Sequence, residues 1–313
     1  MKILIVGRKS MFNAEYFYEK AFHEIGHEVL LANSYEGVKP QLFNRQLHAR
    51  TGNLDFLLPF YRINRNLPRI VDSYDPDAII FFKGEFISAQ TINLLSQSRK
   101  IYLYYTDTYK FKPLLEGKME YYKTVFTAAN NKKFYYDLGA KNVVAVPWSC
   151  DPDFHRKLNV EKRYKVSFIG TAYPERRRII RRLNGVEVFG DFWFGFGKSS
   201  HNPVLGEDFV KIINQSLVNL NLQADVSIKA DAPTMRTFEL AGCGGFQISD
   251  YMPSLKRYLP MVPTFRDISE LKELISYYLE NGEEREDIAE KSMKVCYESF
   301  KYTDAAKLVV SSL

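Results

Sequence analysis

The sequence predicts an α/β protein made of two Rossmann-like, doubly wound domains that face a cleft, with a C-terminal helical tail. The chain has 313 residues, which is more than one hydrophobic core usually holds. Short apolar runs alternate with helical patterns, as in parallel sheets covered on both faces. The alternation stops at a stretch rich in proline and polar residues, Pro147–Lys157, and then resumes. The predicted domains are therefore 1–150 and 151–313.

The first domain opens with Lys2–Val6, a continuous apolar run that ends at Gly7, as a buried parallel strand does. A helix over Ala14–Glu24 and a strand over Glu28–Ala32 complete a βαβ unit. The same alternation continues to the end of the domain. It predicts strands over Asp77–Phe82, Lys100–Tyr105, Thr124–Ala128 and Asn142–Val146, and a helix over Ala89–Ser96.

The second domain repeats this pattern and ends in helices. The predicted strands are Lys165–Ile169, Val186–Phe189, Ser216–Leu222 and Gly245–Ser249. The predicted helices are an arginine-rich one after Thr171, Phe209–Gln215, a short one within residues 231–242, Ser269–Tyr278 with Ser269 as its N-cap, Gly282–Phe300 and Thr303–Ser311.

Composition limits the class of protein. The hydrophobic share of 46% and the charged share of 26% are those of a soluble globular chain. A net charge of +6 favours an anionic ligand, a membrane surface or a nucleic acid. The densest basic run is Glu175–Arg182. A run of this kind is usually the solvated face of a helix. Three scattered cysteines, no signal peptide and no run of ~18–20 apolar residues predict a cytoplasmic protein without stable membrane insertion.

Several familiar cofactor motifs are missing from the sequence. No GxGxxG follows the first strand, and no GxxxxGK[ST] occurs, which argues against a dinucleotide site and a P-loop. There is no HExxH, and the Asp72–Asp77 acids precede a strand, so they are interpreted as turn residues. We therefore expect neither a bound cofactor nor a metal site.

Candidate site residues follow from strand ends, because open parallel sheets bind ligands at the carboxyl ends of their strands. With two such domains the cleft between them is the expected site. The first domain offers Gly7, Lys83, Glu85 and Asp107. Asp107 is the best acceptor-side carboxylate, although a capping or turn role explains it equally well. In the second domain the first strand ends at Gly170.

The stretch DAPTMRTFELAGCGGF, residues 231–246, places three charges around one short helix. One interpretation is a surface ion pair between Arg236 and Glu239, with Asp231 favoured by the helix dipole. The other is a nucleotide clamp. A carboxylate accepts hydrogen bonds from a ribose diol, and an arginine with helix N–H groups binds a diphosphate. The residues alone leave both interpretations open.

The segment Arg236–Gly245 resembles the R-x-F-E-x-x-x-C-G signature of the spore-maturation-protein-like glycosyltransferases. That family belongs to the larger group-1 family, which has the two-domain GT-B fold. The similarity continues through Asp250-Tyr251, Pro263–Phe265 (an expected strand) and Asn281–Glu286, and upstream through Val166–Gly170. It covers roughly residues 160–313, whereas the first half matches only loosely.

The resemblance implies a hexosyltransferase that uses a nucleotide diphosphate sugar, UDP-linked, without a metal and with retention of configuration. Glu239 would hold the ribose, and Arg236 with Arg176 or Arg177 would neutralise the diphosphate, beside Gly170. Asp231, an aspartate where the family has glutamate, would lie near the donor sugar as a catalytic residue, with Asp107 on the acceptor side. The acceptor would be a glycan, protein, lipid or modified nucleic acid.

Two alternatives stay open. The first is a nucleotide-sugar epimerase on the same fold, and the second is a glycosyltransferase that acts on modified nucleic acid. For the clamp, we expect Glu239→Ala and Arg236→Ala to abolish donor binding and to leave the fold intact.

Overall fold

The computed structural model describes residues 1–35, 58–105, 107, 112 and 114–313, which divide into two compact units. The first unit comprises Met1–Pro147 together with Thr303–Leu313, and the second comprises Trp148–Tyr302. Residues 303–313 thus group with the first unit and not with the predicted second domain, 151–313.

The first unit is built on a parallel sheet of six strands in the order β2-β1-β3-β4-β5-β6. Its central strands are buried along almost their whole length, because helices cover both faces. The strands are β1 (Lys2–Gly7), β2 (Glu28–Asn33), β3 (Ala78–Phe82), β4 (Ile101–Tyr105), β5 (Val125–Thr127) and β6 (Val143–Ala145). Among the described residues before 148, the α-helices are α1 (Ala14–Glu24), α2 (Leu58–Tyr74), α3 (Ala89–Ser96) and α4 (Lys133–Asp137).

The second unit has its own parallel sheet, in the order β12-β11-β10-β7-β8-β9. The strands are β7 (Tyr164–Ile169), β8 (Val186–Phe189), β9 (Ser200–His201), β10 (Ser216–Asn221), β11 (Gln247–Asp250) and β12 (Thr264–Phe265). The helices that follow β7 are α5 (Pro174–Ile180), α6 (Gly206–Gln215), α7 (Asp225–Lys229), α8 (Met235–Gly242), α9 (Pro253–Tyr258), α10 (Ile268–Glu280), α11 (Gly282–Ser299) and α12 (Tyr302–Val310).

The two six-stranded parallel sheets with flanking helices and a C-terminal helix confirm the predicted fold class. Along the described ranges, no helix is long and apolar enough to cross a membrane. The last residues reach back to the first sheet, where the side chains of Lys100 and Tyr102 donate to the carbonyl of Leu313.

The predicted N-cap of α10 is wrong. The capping residue is Asp267, whose carboxylate accepts from the amides of Ser269 and Glu270 at 2.7 and 3.0 Å. The helix therefore begins at Ile268, and Ser269 lies inside its first turn. Aspartate and serine are about equally favourable at an N-cap, so residue type alone does not decide between positions 267 and 269.

Candidate functional site

In the second unit, the ends of β7 and β8 hold Gly170 tightly. The Gly170 amide donates to the carbonyl of Phe189 at 2.9 Å, and its carbonyl accepts from the Trp193 indole at 2.8 Å. Gly190 packs so closely that an added Cβ would lie 2.2 Å from the Gly170 carbonyl oxygen. The backbone at Gly170 is thus fixed by neighbours on more than one side.

A buried network of amide and hydroxyl side chains joins the end of β10 to the start of α8. The amide of Asn221 donates to Thr237 at 2.9 Å and to Gln247 at 2.8 Å. Gln223 donates to the side chains of Asn221 and Thr237, at 3.1 and 3.2 Å. Because buried polar groups need partners, this network holds α8 in one position and orientation. It thereby places the charged side chains of that helix.

Arg236, Glu239 and His155 form a charged cluster at α8. Arg236 Nη1 donates to Glu239 Oε2 at 2.9 Å, and its guanidinium lies 4.1 Å from the centroid of the Phe209 ring. On the other side of the carboxylate, His155 Nε2 lies 3.6 Å from Glu239 Oε1. The amide of Asp151 donates to His155 Nδ1 at 3.0 Å, so Nε2 is the nitrogen that carries the proton toward Glu239.

Glu239 is only 4% exposed, yet its carboxyl is ionised. Burial raises the pKa of this carboxyl, but the charge of Arg236 and the nearby imidazole of His155 outweigh burial and lower the pKa below its ordinary value. An ionised carboxylate only accepts hydrogen bonds, which suits a ligand with paired hydroxyl groups. The predicted ion pair between Arg236 and Glu239 is present, but it is not a surface pair, because the acidic partner is buried.

Arg176 adds a second guanidinium at the same strand ends. Its Nε donates to the carbonyl of Leu222 at 2.9 Å, and its Nη1 donates to that of Thr171 at 3.1 Å. Burial, and more weakly the charge of Arg236, lowers the pKa of the Arg176 guanidinium. Two fixed guanidinium groups close enough to affect one another form a positive region that suits a diphosphate.

Asp250 ends β11 beside Arg176. Its Oδ2 accepts from the amide of Gln223 at 2.7 Å. Burial raises the pKa of Asp250 to about 6, although that hydrogen bond and the Arg176 charge act in the opposite direction. The carboxyl therefore titrates near pH 6, under the influence of the Arg176 guanidinium.

His155 and Asp250 are site residues that the sequence pattern does not predict. His155 falls in the proline-rich linker, where local composition gives no sign of a buried side chain. In the sequence, Asp250 stands out only as part of the longer motif that resembles the family, and no role is predicted for it. Both reach the site through tertiary contacts, so no local spacing could have found them.

Two predicted donor residues point elsewhere. Arg177 donates to the carbonyls of Phe192 and Phe194, so the structure gathers Arg176 and Arg236 but does not bring Arg177 to them. Asp231 has a left-handed φ of 47°. Its Oδ1 accepts from the amide and hydroxyl of Ser254 at 3.0 and 2.6 Å, which joins it to the first turn of α9. It does not serve α8 as the predicted dipole-favoured acid.

The first unit brings Lys83 and Asp107 together at the ends of β3 and β4. Lys83 Nζ lies 3.1 Å from Asp107 Oδ2. The Glu85 carboxyl is buried and accepts from the Tyr105 hydroxyl at 3.0 Å. Beneath this turn the Lys118 ammonium donates to the Glu85 carbonyl at 2.9 Å, and burial lowers the pKa of Lys118 to about 7. These contacts create a polar strand end in the first unit.

Gly7 ends β1 against the carboxyl of Glu15. A Cβ added at Gly7 would lie 2.7 Å from Glu15 Cγ, so a side chain here would displace that residue. The Arg8 amide donates to Glu15 Oε1 at 3.1 Å, and burial raises the pKa of this carboxyl. Glu15 and the buried Lys118 were not predicted, because a charged residue on a helix or turn normally lies in solvent.

Comparison with known proteins shows to which class of proteins this chain belongs. Residues 155–310 match a family model described as glycosyl transferase-like. The chain is similar in structure to the sucrose-phosphate synthase of Thermosynechococcus elongatus, with a TM-score of 0.71 at 8% identity, covering 99% of this chain and 98% of that chain. It is also similar to a structure described as trehalose-6-phosphate from E. coli bound with UDP-2-fluoro glucose, with a TM-score of 0.65 at 11% identity, covering 99% and 98%. The protein is a glycosyltransferase with the GT-B fold.

A curated relative places the chain in a particular family within the GT-B glycosyltransferases. The spore protein CgeB of Bacillus subtilis (strain 168) is 22% identical over 264 residues, which cover 75% of this chain and 82% of that protein. The chain belongs to the group-1 glycosyltransferases of the spore-maturation-protein-like family, which confirms the resemblance carried by Arg236–Gly245.

Proposed function

We propose that the protein moves a hexose from a UDP-linked donor, bound by the second unit, to an acceptor bound by the first. One observation carries the proposal: the buried, ionised carboxylate of Glu239 is paired with the guanidinium of Arg236, whose charge also acts on the guanidinium of Arg176. Glu239 would accept from the ribose hydroxyls, and the two arginines would bind the diphosphate. The structural neighbour bound with UDP-2-fluoro glucose supports a UDP-linked donor.

The proposed chemistry follows from charge. Glycosyl transfer builds positive charge at the anomeric carbon and negative charge on the departing diphosphate. Arg176, Arg236 and the free N–H groups at the start of α8 would stabilise that negative charge more in the transition state than in the ground state. We propose that transfer needs no bound metal and retains configuration at the anomeric carbon, as the resemblance implies.

The remaining residues receive narrower roles in this proposal. Asp231 holds the turn that precedes α8 through its bonds to Ser254, so we assign it to positioning. Asp107 and Lys83, paired at 3.1 Å, contact the acceptor. Gly170 keeps the end of β7 free of a side chain beside the diphosphate.

A thermal-shift screen of nucleotides and nucleotide sugars, with and without EDTA, tests the proposal. Ligand at ~100 times its Kd stabilises a protein by about 2.7 kcal/mol, which is readily seen as a higher Tm. We expect UDP and UDP-hexoses to raise the Tm, equally in EDTA. No response across the panel would contradict the donor site. A shift that EDTA abolishes would contradict metal independence, and a donor sugar rearranged without acceptor would indicate an epimerase.

Asp250 should make donor affinity depend on pH. A bound diphosphate would raise the Asp250 pKa above its value of about 6, so binding would take up a proton and affinity would increase as pH falls. Relative to Asp250→Asn, the wild type should lose up to about tenfold in UDP affinity between about pH 5 and pH 7. Isothermal titration measures the UDP affinity of both proteins at each pH. The ratio of the two affinities cancels the ionisation of the nucleotide itself, which is the same for both. Asp287→Asn, a change on the exposed face of α11, is the control and should follow the wild type.

A further inference from the structure

A surface of aromatic and basic side chains lies beside the donor site and plays no part in the proposed function. Phe192 and Phe194 belong to the loop that follows β8, and their side chains are 47% and 74% exposed. The exposed Arg178, Arg181 and Arg182 extend along and just beyond α5. We call these five residues the aromatic–basic surface. Exposed phenylalanines are unusual, because a buried side chain of this size is stabilised by roughly 1.5–3 kcal/mol.

The loop that carries the phenylalanines is anchored. Trp193 is buried, and its indole donates to the Gly170 carbonyl at 2.8 Å. The Arg177 guanidinium donates to the carbonyls of both Phe192 and Phe194. Phe192 has a left-handed φ of 66°, which a bulky residue such as phenylalanine adopts only at some cost in free energy. The two rings are therefore held outward by the backbone.

The loop and the arginines form one continuous surface. The guanidinium groups of Arg177 and Arg181 lie over the Phe196 ring, at 5.2 and 5.6 Å from its centroid. Arg177, Arg178, Arg181 and Arg182 line an open cavity of about 440 Å³ with Pro174. Within residues 174–198 there are six Arg or Lys and three Asp or Glu. A solvated helix face explains the arginines but not the exposed phenylalanines beside them.

We propose that the aromatic–basic surface docks the protein on a membrane that contains anionic phospholipid. The arginines would bind lipid phosphates, and the two phenylalanines would enter the boundary between headgroups and acyl chains, which supplies the two attractive forces that interfacial binding needs. A nucleic acid fits less well. The two rings are tilted by 59° with centroids 6.2 Å apart, so they do not offer parallel faces for stacked bases.

Vesicle co-sedimentation tests this proposal. Wild-type protein is mixed with vesicles of phosphatidylcholine alone, or of phosphatidylcholine with phosphatidylglycerol, at low and high salt. We expect binding to the anionic vesicles only, weakened by salt. The double variant Arg178→Gln/Arg182→Gln should lose about 25-fold in partitioning, about fivefold per arginine. Phe192→Asn/Phe194→Ser should lose on the order of tenfold or more and keep its salt dependence. Asparagine is chosen because it tolerates the left-handed backbone at 192.

The matched control is Lys272→Gln/Lys294→Gln, which removes two exposed positive charges elsewhere on the second unit. It should sediment like the wild type, and all variants should keep the wild-type Tm and UDP response. Three results would overturn the proposal: equal binding to both vesicle types, an arginine variant that binds as well as the lysine control, or binding to a single-stranded polynucleotide without binding to vesicles.

Discussion

Replacing Glu239 by glutamine is expected to weaken UDP binding about 100-fold. Hydrogen bonds to a charged acceptor contribute roughly 1.5–3 kcal/mol each, and the ribose diol would lose its ionised partner. Glutamine preserves the shape of the side chain but removes its charge. It also breaks the 2.9 Å ion pair that orients Arg236, so the diphosphate would bind less well too. Isothermal titration with UDP measures the loss.

The stability of this variant must be measured separately. Because Glu239 is buried between Arg236 and His155, we now expect Glu239→Ala to lower the free energy of unfolding, which corrects the expectation that the fold would be unaffected. Glu207→Gln is the matched control, since Glu207 also forms an ion pair, at 3.1 Å with Arg156, but is exposed. If Glu239→Gln folds and binds UDP as tightly as Glu207→Gln, Glu239 does not hold the ribose.

Gly190→Ala should lower the free energy of unfolding by about 3 kcal/mol or more. The new Cβ would lie 2.2 Å from the Gly170 carbonyl oxygen and 2.7 Å from its carbon, both backbone atoms that cannot turn aside. Overpacking usually costs 1–3 kcal/mol where side chains can adjust, and here the strands themselves must move apart. Urea unfolding followed by circular dichroism measures the change.

Gly185→Ala separates the clash from the backbone conformation. Both glycines have a φ that side chains rarely adopt, 154° at Gly190 and 67° at Gly185, but a Cβ added at Gly185 would have no atom within 4 Å. This variant should therefore lose only about 1 kcal/mol, the usual penalty for a left-handed alanine. Equal losses for the two variants would show that the close packing of Gly190 on Gly170 contributes nothing.

Much of the fold could be predicted because its strands are continuous apolar runs. β1, β3 and β4 were placed to within a residue or two, since a buried parallel strand is apolar on both faces. Helix α2 was not predicted. It contains Pro68, and an interior proline argues against a helix when only the sequence is known.

The residues of the candidate site could likewise be predicted only where local sequence spacing brings them together. Arg236 and Glu239 could be found because they lie three residues apart on one helix. His155 could not, because the chain brings it to Glu239 only through the fold of the linker. The direction of the Arg177 side chain could not be predicted either, since it depends on backbone carbonyls of the loop after β8, among them that of Phe192, fifteen residues later.

The division of the first unit between the two ends of the chain has a consequence for synthesis. Its sheet is made first, but Lys100 and Tyr102 acquire their partner, the Leu313 carbonyl, only when residues 303–313 are translated. Domains ordinarily fold in order from the N-terminus as the ribosome releases them. Here the second unit, residues 148–302, has its complete sequence outside the ribosome before the first unit does, because the first unit also needs residues 303–313.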